Sequence, residues 1–173
     1  MTVIFLTGEP RCGKSTVLMK IIDLLKKKGF KVGGFISPEI RSRGDRIGFK
    51  VIDIHSGKEG MLASVDQKIG PQVGKYHVNL DDFEIVALKA LDFAVKECDV
   101  VCVDELGTME LFSLKFKGKM EKILELEKPV IVVLHRNLVD KYKKYGKIIF
   151  VTAENREKLP EEIVKVVYGS TRS

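Results

Sequence analysis

The sequence contains no tryptophan and only three cysteines, Cys12, Cys98 and Cys102. An odd number of thiols, without a C-x-x-C pair or a matching histidine pattern, argues against a disulfide framework or a zinc site, so reduced thiols are expected. No apolar run approaches the ~20 residues that a membrane-spanning helix needs. The short run Val3–Leu6 lacks the basic front and small-residue cleavage site of a secretory leader. The protein is therefore expected to be cytoplasmic and to have no membrane partner. Side-chain amides are scarce, with Gln67, Gln72, Asn79, Asn137 and Asn155 the full set, a bias shared with proteins of thermophiles. Internal repeats, low-complexity tracts and Pro/Gly/Ser linkers are also missing. Nothing marks a boundary inside the chain, and residues 1–173 read as one domain of ordinary size.

What is present is a core-forming composition, 45% hydrophobic, with a formal net charge of +6. Such a charge permits attraction to polyanions, whether nucleotide, nucleic acid or anionic lipid, and selects none of them. The basic run Lys26-Lys27-Lys28 ends a helix-like segment just before Gly29, where cations complement the helix dipole and glycine suits the cap. Tyrosines and phenylalanines fall mostly in apolar runs rather than among basic residues, so no stacking platform for nucleic acid is laid out.

Short apolar runs bounded by turn residues recur at 2–6, 31–36, 100–104, 130–134 and 147–151, a pattern that predicts strands buried on both faces. Helical stripes lie between them: Val17, Leu18, Ile21, Ile22, Leu24 and Leu25; then Ile85, Val86, Leu88, Leu91 and Val95; then Leu114, Met120, Ile123 and Leu124. Strands alternating with helices predict an α/β fold with a parallel sheet flanked by helices. One segment, 39–54, breaks the alternation and reads as a β-hairpin turning at Arg43-Gly44-Asp45 and projecting from the sheet.

The segment Gly8-Glu9-Pro10-Arg11-Cys12-Gly13-Lys14-Ser15-Thr16 is a complete G-x-x-x-x-G-K-[ST] loop between the first strand and the first helix. Its glycines let backbone N–H groups close around phosphate oxygens, and the helix that follows offers its positive end. Lys14 is expected to reach the β and γ phosphates, the Ser15 hydroxyl to ligate Mg²⁺, and Thr16 to contact the α-phosphate. Cys12 reads as a filler position. The run Val100–Val103 ends in Asp104-Glu105, two carboxylates at a strand end. Asp104 can hold the Mg²⁺ shell, and Glu105 can take a proton from water in line with the γ-phosphate.

Further candidates are less specific. His135 ends the fourth run and is either a γ-phosphate sensor or a plain strand-end histidine. Arg136, Arg43, Arg46 and Arg156 are each a surface residue or a source of positive charge for phosphoryl transfer. In the loop after the last strand, Asn155 and Arg156 can reach a nucleobase, by hydrogen bonds and by stacking, or simply lead into a helix.

Together these residues resemble the small P-loop nucleoside triphosphatase family, that of the human cancer-related nucleoside triphosphatase and its archaeal and bacterial relatives. The likeness runs nearly end to end. It rests on the loop 8–16, on Gly34-Phe35, Glu39-Ile40-Arg41 and Arg46–Phe49, on Val73–Val78, on Asp104-Glu105-Leu106-Gly107-Thr108-Met109-Glu110-Leu111-Phe112-Ser113, and on Thr152–Arg156. The resemblance implies a RecA-like core that hydrolyses ATP, GTP and other nucleoside triphosphates to the diphosphate and phosphate with Mg²⁺ and little base selectivity. It gives Lys14 and Ser15 the loop roles, Asp104 the metal role and Glu105 the role of base. Two positions depart from the family pattern, which usually has Gly at position 11 and often Thr at position 15. Two other functions share these features: a small nucleotide or nucleoside kinase with the hairpin as lid, and a nucleotide-switched RNA-binding module. The acid directly after Asp104 favours water as the acceptor.

Overall fold

The computed structural model describes residues 2–172. The chain runs β1 (Val3–Thr7), α1 (Lys14–Lys27), β2 (Val32–Ile36), β3 (Glu39–Ser42), β4 (Asp45–Asp53), β5 (Glu59–Ser64), β6 (Gln72–Val73), β7 (Tyr76–Val78) and α2 (Leu80–Glu97). It continues through β8 (Val100–Leu106), α3 (Leu114–Ile123), β9 (Val130–Leu134), α4 (Val139–Tyr142), β10 (Lys147–Phe150) and α5 (Leu159–Arg172).

The sheet order is β10-β1-β9-β8-β2-β4-β5-β7-β6, with β3 paired to β4. From β10 to β2 every pairing is parallel. Beyond β2 the pairings are antiparallel. β9 lies between the strand that leads into the glycine-rich loop and the strand that ends in Asp104-Glu105, in keeping with the expected RecA-like α/β form.

Alternation along the parallel strands sends successive side chains to opposite faces. Ile4, Leu6, Val100, Cys102, Ile131 and Val133 pack with α1 and α5 on one face. Phe5, Val101, Val103, Val130 and Val132 pack with α2 and α3 on the other. Each such side chain, fully removed from water, contributes about 1.5–3 kcal/mol, which is why the runs read as continuous apolar stretches. The end of α1 takes the expected cap: Gly29 N–H donates to the Lys26 carbonyl and Phe30 N–H to the Leu25 carbonyl.

The hairpin forms as expected, with Arg43 (φ 52°) and Gly44 (φ 83°) both left-handed in a two-residue turn. β4 pairs with β2 only at Ile52 and Asp53. Asp45–Val51 therefore run on past the end of β2 by roughly 20 Å, at about 3.4 Å per residue, and β5 lines the same projection.

Several expectations are corrected. The strand at Lys147–Phe150 is an edge strand rather than one buried on both faces, and Phe150 is exposed. Ile85 and Leu114 face solvent. α2 instead packs through Phe83, Val86, Ala87, Ala90, Leu91 and Ala94, and α3 through Phe116, Met120 and Ile123. The antiparallel strands β5–β7 carry no expectation from sequence, and α5 is the helix into which the loop at Asn155-Arg156 leads. Among the described residues no helix is long and apolar enough to cross a membrane.

Parallel strands all finish at one edge of the sheet, so the segments after β1, β2, β8, β9 and β10 are gathered there. That edge is where α/β folds bind ligands.

Candidate active site

The loop from Gly8 to Gly13 leaves β1 and turns directly into α1. Gly8 has φ 145°, and a Cβ there would stand 2.9 Å from the Val151 carbonyl oxygen and 2.9 Å from Cys12 Sγ, so only glycine fits the turn. Arg11 is the non-glycine residue in the loop with positive φ, 63°. The Lys14 ammonium folds back over the loop, donating to the carbonyls of Gly8 (3.1 Å) and Glu9 (3.3 Å). Glu9 pairs with Arg136, which brings the 3₁₀ turn after β9 (Arg136–Leu138) against the loop.

β8 supplies the acids. Asp104 pairs with Val133 and Leu106 with Leu134, so Glu105 is an extra residue in the ladder, a bulge that re-aims its side chain. The Asp104–Glu105 peptide is cis. Asp104 is buried and accepts a hydrogen bond from the Ser15 hydroxyl. Burial raises its carboxyl to about 7, with Glu105 adding to the rise while Ser15 and Lys14 oppose it. Burial likewise raises Glu105, and Lys14 again opposes. Burial, then the cations Lys14 and Arg136, hold the His135 imidazole below its usual value, which favours its neutral form. The backbone N–H of His135 donates to the Leu106 carbonyl (3.0 Å), fixing the end of β9 to the end of β8. Lys14 thus acts on Asp104, Glu105 and His135 together, which places one cation amid the three strand-end groups.

The fit to a divalent cation follows from donor chemistry. A serine hydroxyl and a buried carboxylate in hydrogen-bond contact are hard oxygen donors of the kind Mg²⁺ takes.

On the helix side, Gly13, Thr16, Val17, Lys20, Arg156 and Glu157 line a cavity of about 180 Å³. The Arg156 side chain lies across Gly13, its Cδ 3.4 Å from where a Cβ would be. Asn155 is half-buried, and its amide shapes the loop rather than pointing outward. Oδ1 accepts from Thr152 N–H (2.8 Å) and Nδ2 donates to the Phe150 carbonyl (2.8 Å). Glu9, Pro10 and Arg11 are exposed on the loop, and Cys12 packs its sulfur against Gly8.

Arg43 and Arg46 belong to the hairpin, which β9, β8 and β2 separate from β1 in the sheet. Arg43 occupies the exposed turn. Arg46 donates to the Tyr76 hydroxyl (2.8 Å), pairs with Glu39 (3.3 Å) and lies over the Phe49 ring (5.1 Å). The structure therefore brings Lys14, Ser15, Asp104, Glu105, His135, Arg136 and Arg156 around the loop and commits Arg46 to hairpin packing.

Glu110 is a further acid at this edge of the sheet. It is 3% exposed in a 3₁₀ turn beyond β8, close to Glu105 and Asp104. In the sequence it stands within the run Asp104–Ser113 that carries the family resemblance, without a role of its own.

A family model described as "NTPase" matches residues 3–164. The chain is 45% identical to the "Nucleoside-triphosphatase THEP1" of Methanocaldococcus jannaschii, over 96% of this chain and 98% of that protein. It is 44% identical to the protein of the same name from Methanosarcina acetivorans, over 94% and 95%. Among solved structures, THEP1 from the hyperthermophile Aquifex aeolicus superposes with a TM-score of 0.83 at 30% identity, covering 96% of this chain and 99% of that one. A human cancer-related nucleoside triphosphatase superposes with a TM-score of 0.80 at 35% identity, covering 98% and 99%.

Proposed function

This chain belongs to the NTPase family and is a nucleoside triphosphatase, and from that premise we propose that it hydrolyses ATP, GTP and other nucleoside triphosphates with Mg²⁺ and little choice of base. The observation that carries the reading is the convergence of Lys14, Ser15, Asp104 and Glu105 at one edge of the sheet. In this reading residues 1–173 act as one catalytic domain.

The loop amides and the N-terminus of α1 bind the phosphate chain, and Lys14 turns from the Gly8 and Glu9 carbonyls to its β and γ oxygens. Ser15 and Asp104 would hold Mg²⁺, which when bound offsets negative charge on the phosphates. Glu105 accepts a proton from water as the water oxygen bonds to the γ-phosphorus. The bond from that phosphorus to the bridging oxygen breaks, and that oxygen leaves with the diphosphate. Glu105 suits this task because burial raises its proton affinity while Lys14 keeps the carboxylate accessible. Arg136, held at the loop by Glu9, adds positive charge beside the leaving group, and neutral His135 offers a polar contact to the γ-phosphate.

Low base selectivity is supported by the cavity beside α1. Arg156 provides a flat cation for stacking, which tolerates any base. The Asn155 amide, engaged by the loop backbone, supports no edge-reading role. The test is phosphate release from ATP, GTP, CTP and UTP with Mg²⁺, with and without nucleoside and nucleotide acceptors. Comparable kcat/KM for all four, unaffected by acceptors, is expected. A preference above about 10³ for one base would require specific hydrogen bonds and would refute the tolerant pocket. Transfer to an acceptor in place of phosphate release would refute hydrolysis.

A further inference from the structure

Glu110 is a buried acid to which the mechanism above assigns no task. Its Oε1 has no hydrogen-bond partner among the described residues. Burial pushes the carboxyl well above its ordinary range, Glu105 and Asp104 push it further, and the N–H groups of Glu110 and Gly107 oppose this only in part. Such surroundings favour the neutral form of the carboxyl, which has an O–H to donate.

Gly107 shows where that oxygen lies. A Cβ on Gly107 would stand 2.7 Å from Glu105 Oε1 and 3.1 Å from Glu110 Oε1. Both oxygens therefore converge on the space that glycine leaves open, within about 6 Å of one another, the range over which carboxyl groups influence each other strongly. Any side chain at position 107 would fill that space and separate the two acids. Glu105, for its part, has three rotatable bonds on a bulged strand end, and an unheld carboxylate would sample several orientations.

We propose that Glu110 is a positioning residue for hydrolysis: its carboxyl group donates a hydrogen bond to Glu105, directly or through one water, and keeps that carboxylate turned toward the attacking water. The inference rests on Glu105 being the base. An orienting contact of this kind is worth much in rate, because misplacing a reacting group by about 1 Å can cost 10²-fold.

The test compares wild type, E110L, E110Q, E105Q and the double variant E105Q/E110L in phosphate release with saturating Mg²⁺ and ATP, together with ATP affinity by calorimetry. E110L should lower kcat by about 10- to 100-fold with KM and affinity within about 3-fold. E110Q, whose amide N–H still donates, should recover most of the loss. In the E105Q background, E110L should add less than about 2-fold, since there is no carboxylate left to orient. If E110L is not folded, E110D, which keeps the acid but withdraws it by one methylene, carries the same expectations. Wild-type turnover in E110L, no recovery with Gln, or an equal loss on top of E105Q overturns the proposal. Wild-type turnover in E105Q itself refutes the base reading, a separate outcome from failure at Glu110.

Discussion

Arg11 sits in the phosphate loop with φ 63°, a conformation that costs an L-residue roughly 1–2 kcal/mol. Glycine adopts it freely but has more freedom to lose on folding, which returns about 0.4–1 kcal/mol of the gain. Arg11→Gly should therefore be more stable than Arg11→Ala by about 0.5–1 kcal/mol, since alanine retains the strain and both variants lose the same exposed charge. For a chain of this length, 1 kcal/mol moves Tm by about 2–4 °C. The expected separation is thus about 1–4 °C, with Gly above Ala, in calorimetric melts without nucleotide. The comparison between the two variants isolates the backbone, because the guanidinium is missing from both. Equal melting temperatures, or a lower one for the Gly variant, would refute the argument that the loop holds Arg11 in a strained conformation.

Lys14→Ala should weaken binding of every nucleoside triphosphate to a similar degree, by about 10-fold or more, because one flexible cation is aimed at the shared phosphates. Calorimetry giving equal affinities for variant and wild type would contradict this. Asp104 provides a pH signature: its carboxyl in the folded chain, raised to about 7, lies above the unfolded value. It therefore contributes stability that is fully present below the unfolded value near 4 and lost as pH rises through 7, at up to about 1.4 kcal/mol per pH unit. In urea unfolding without divalent metal, Asp104→Asn should flatten the fall of stability between about pH 4 and 7. Identical pH slopes for the two proteins would show that Asp104 is not desolvated.

The glycine-rich loop was legible because its function is local: the residues that set its backbone and those that meet phosphate lie within Gly8–Thr16. The parallel strands were legible because burial on both faces leaves no polar position to interrupt Val100–Val103 or Val130–Leu134. What could not be read depends on partners far along the chain. β5 has the sequence EGMLAS, without a β-branched residue, and is a strand because β4 pairs with it. Ile85 sits at helical spacing yet faces solvent, because α2 meets the sheet through small residues such as Ala87, Ala90 and Ala94, and Leu114 is exposed because α3 packs through Phe116, Met120 and Ile123. Arg46 reads as a mobile surface cation until Tyr76, on β7, is placed against it. Glu110 has no role of its own in the sequence, because only the fold buries it beside Glu105, around Gly107.

Whether Glu105 activates water at the site built by Lys14, Ser15 and Asp104 is decided by Glu105→Gln. The substitution keeps size and hydrogen bonding and removes only the carboxylate. Phosphate release in a single turnover, measured beside nucleotide affinity with Mg²⁺ present, separates chemistry from binding. Release should fall by about 10² or more, with affinity within about 3-fold of wild type. Release near the wild-type rate would contradict it.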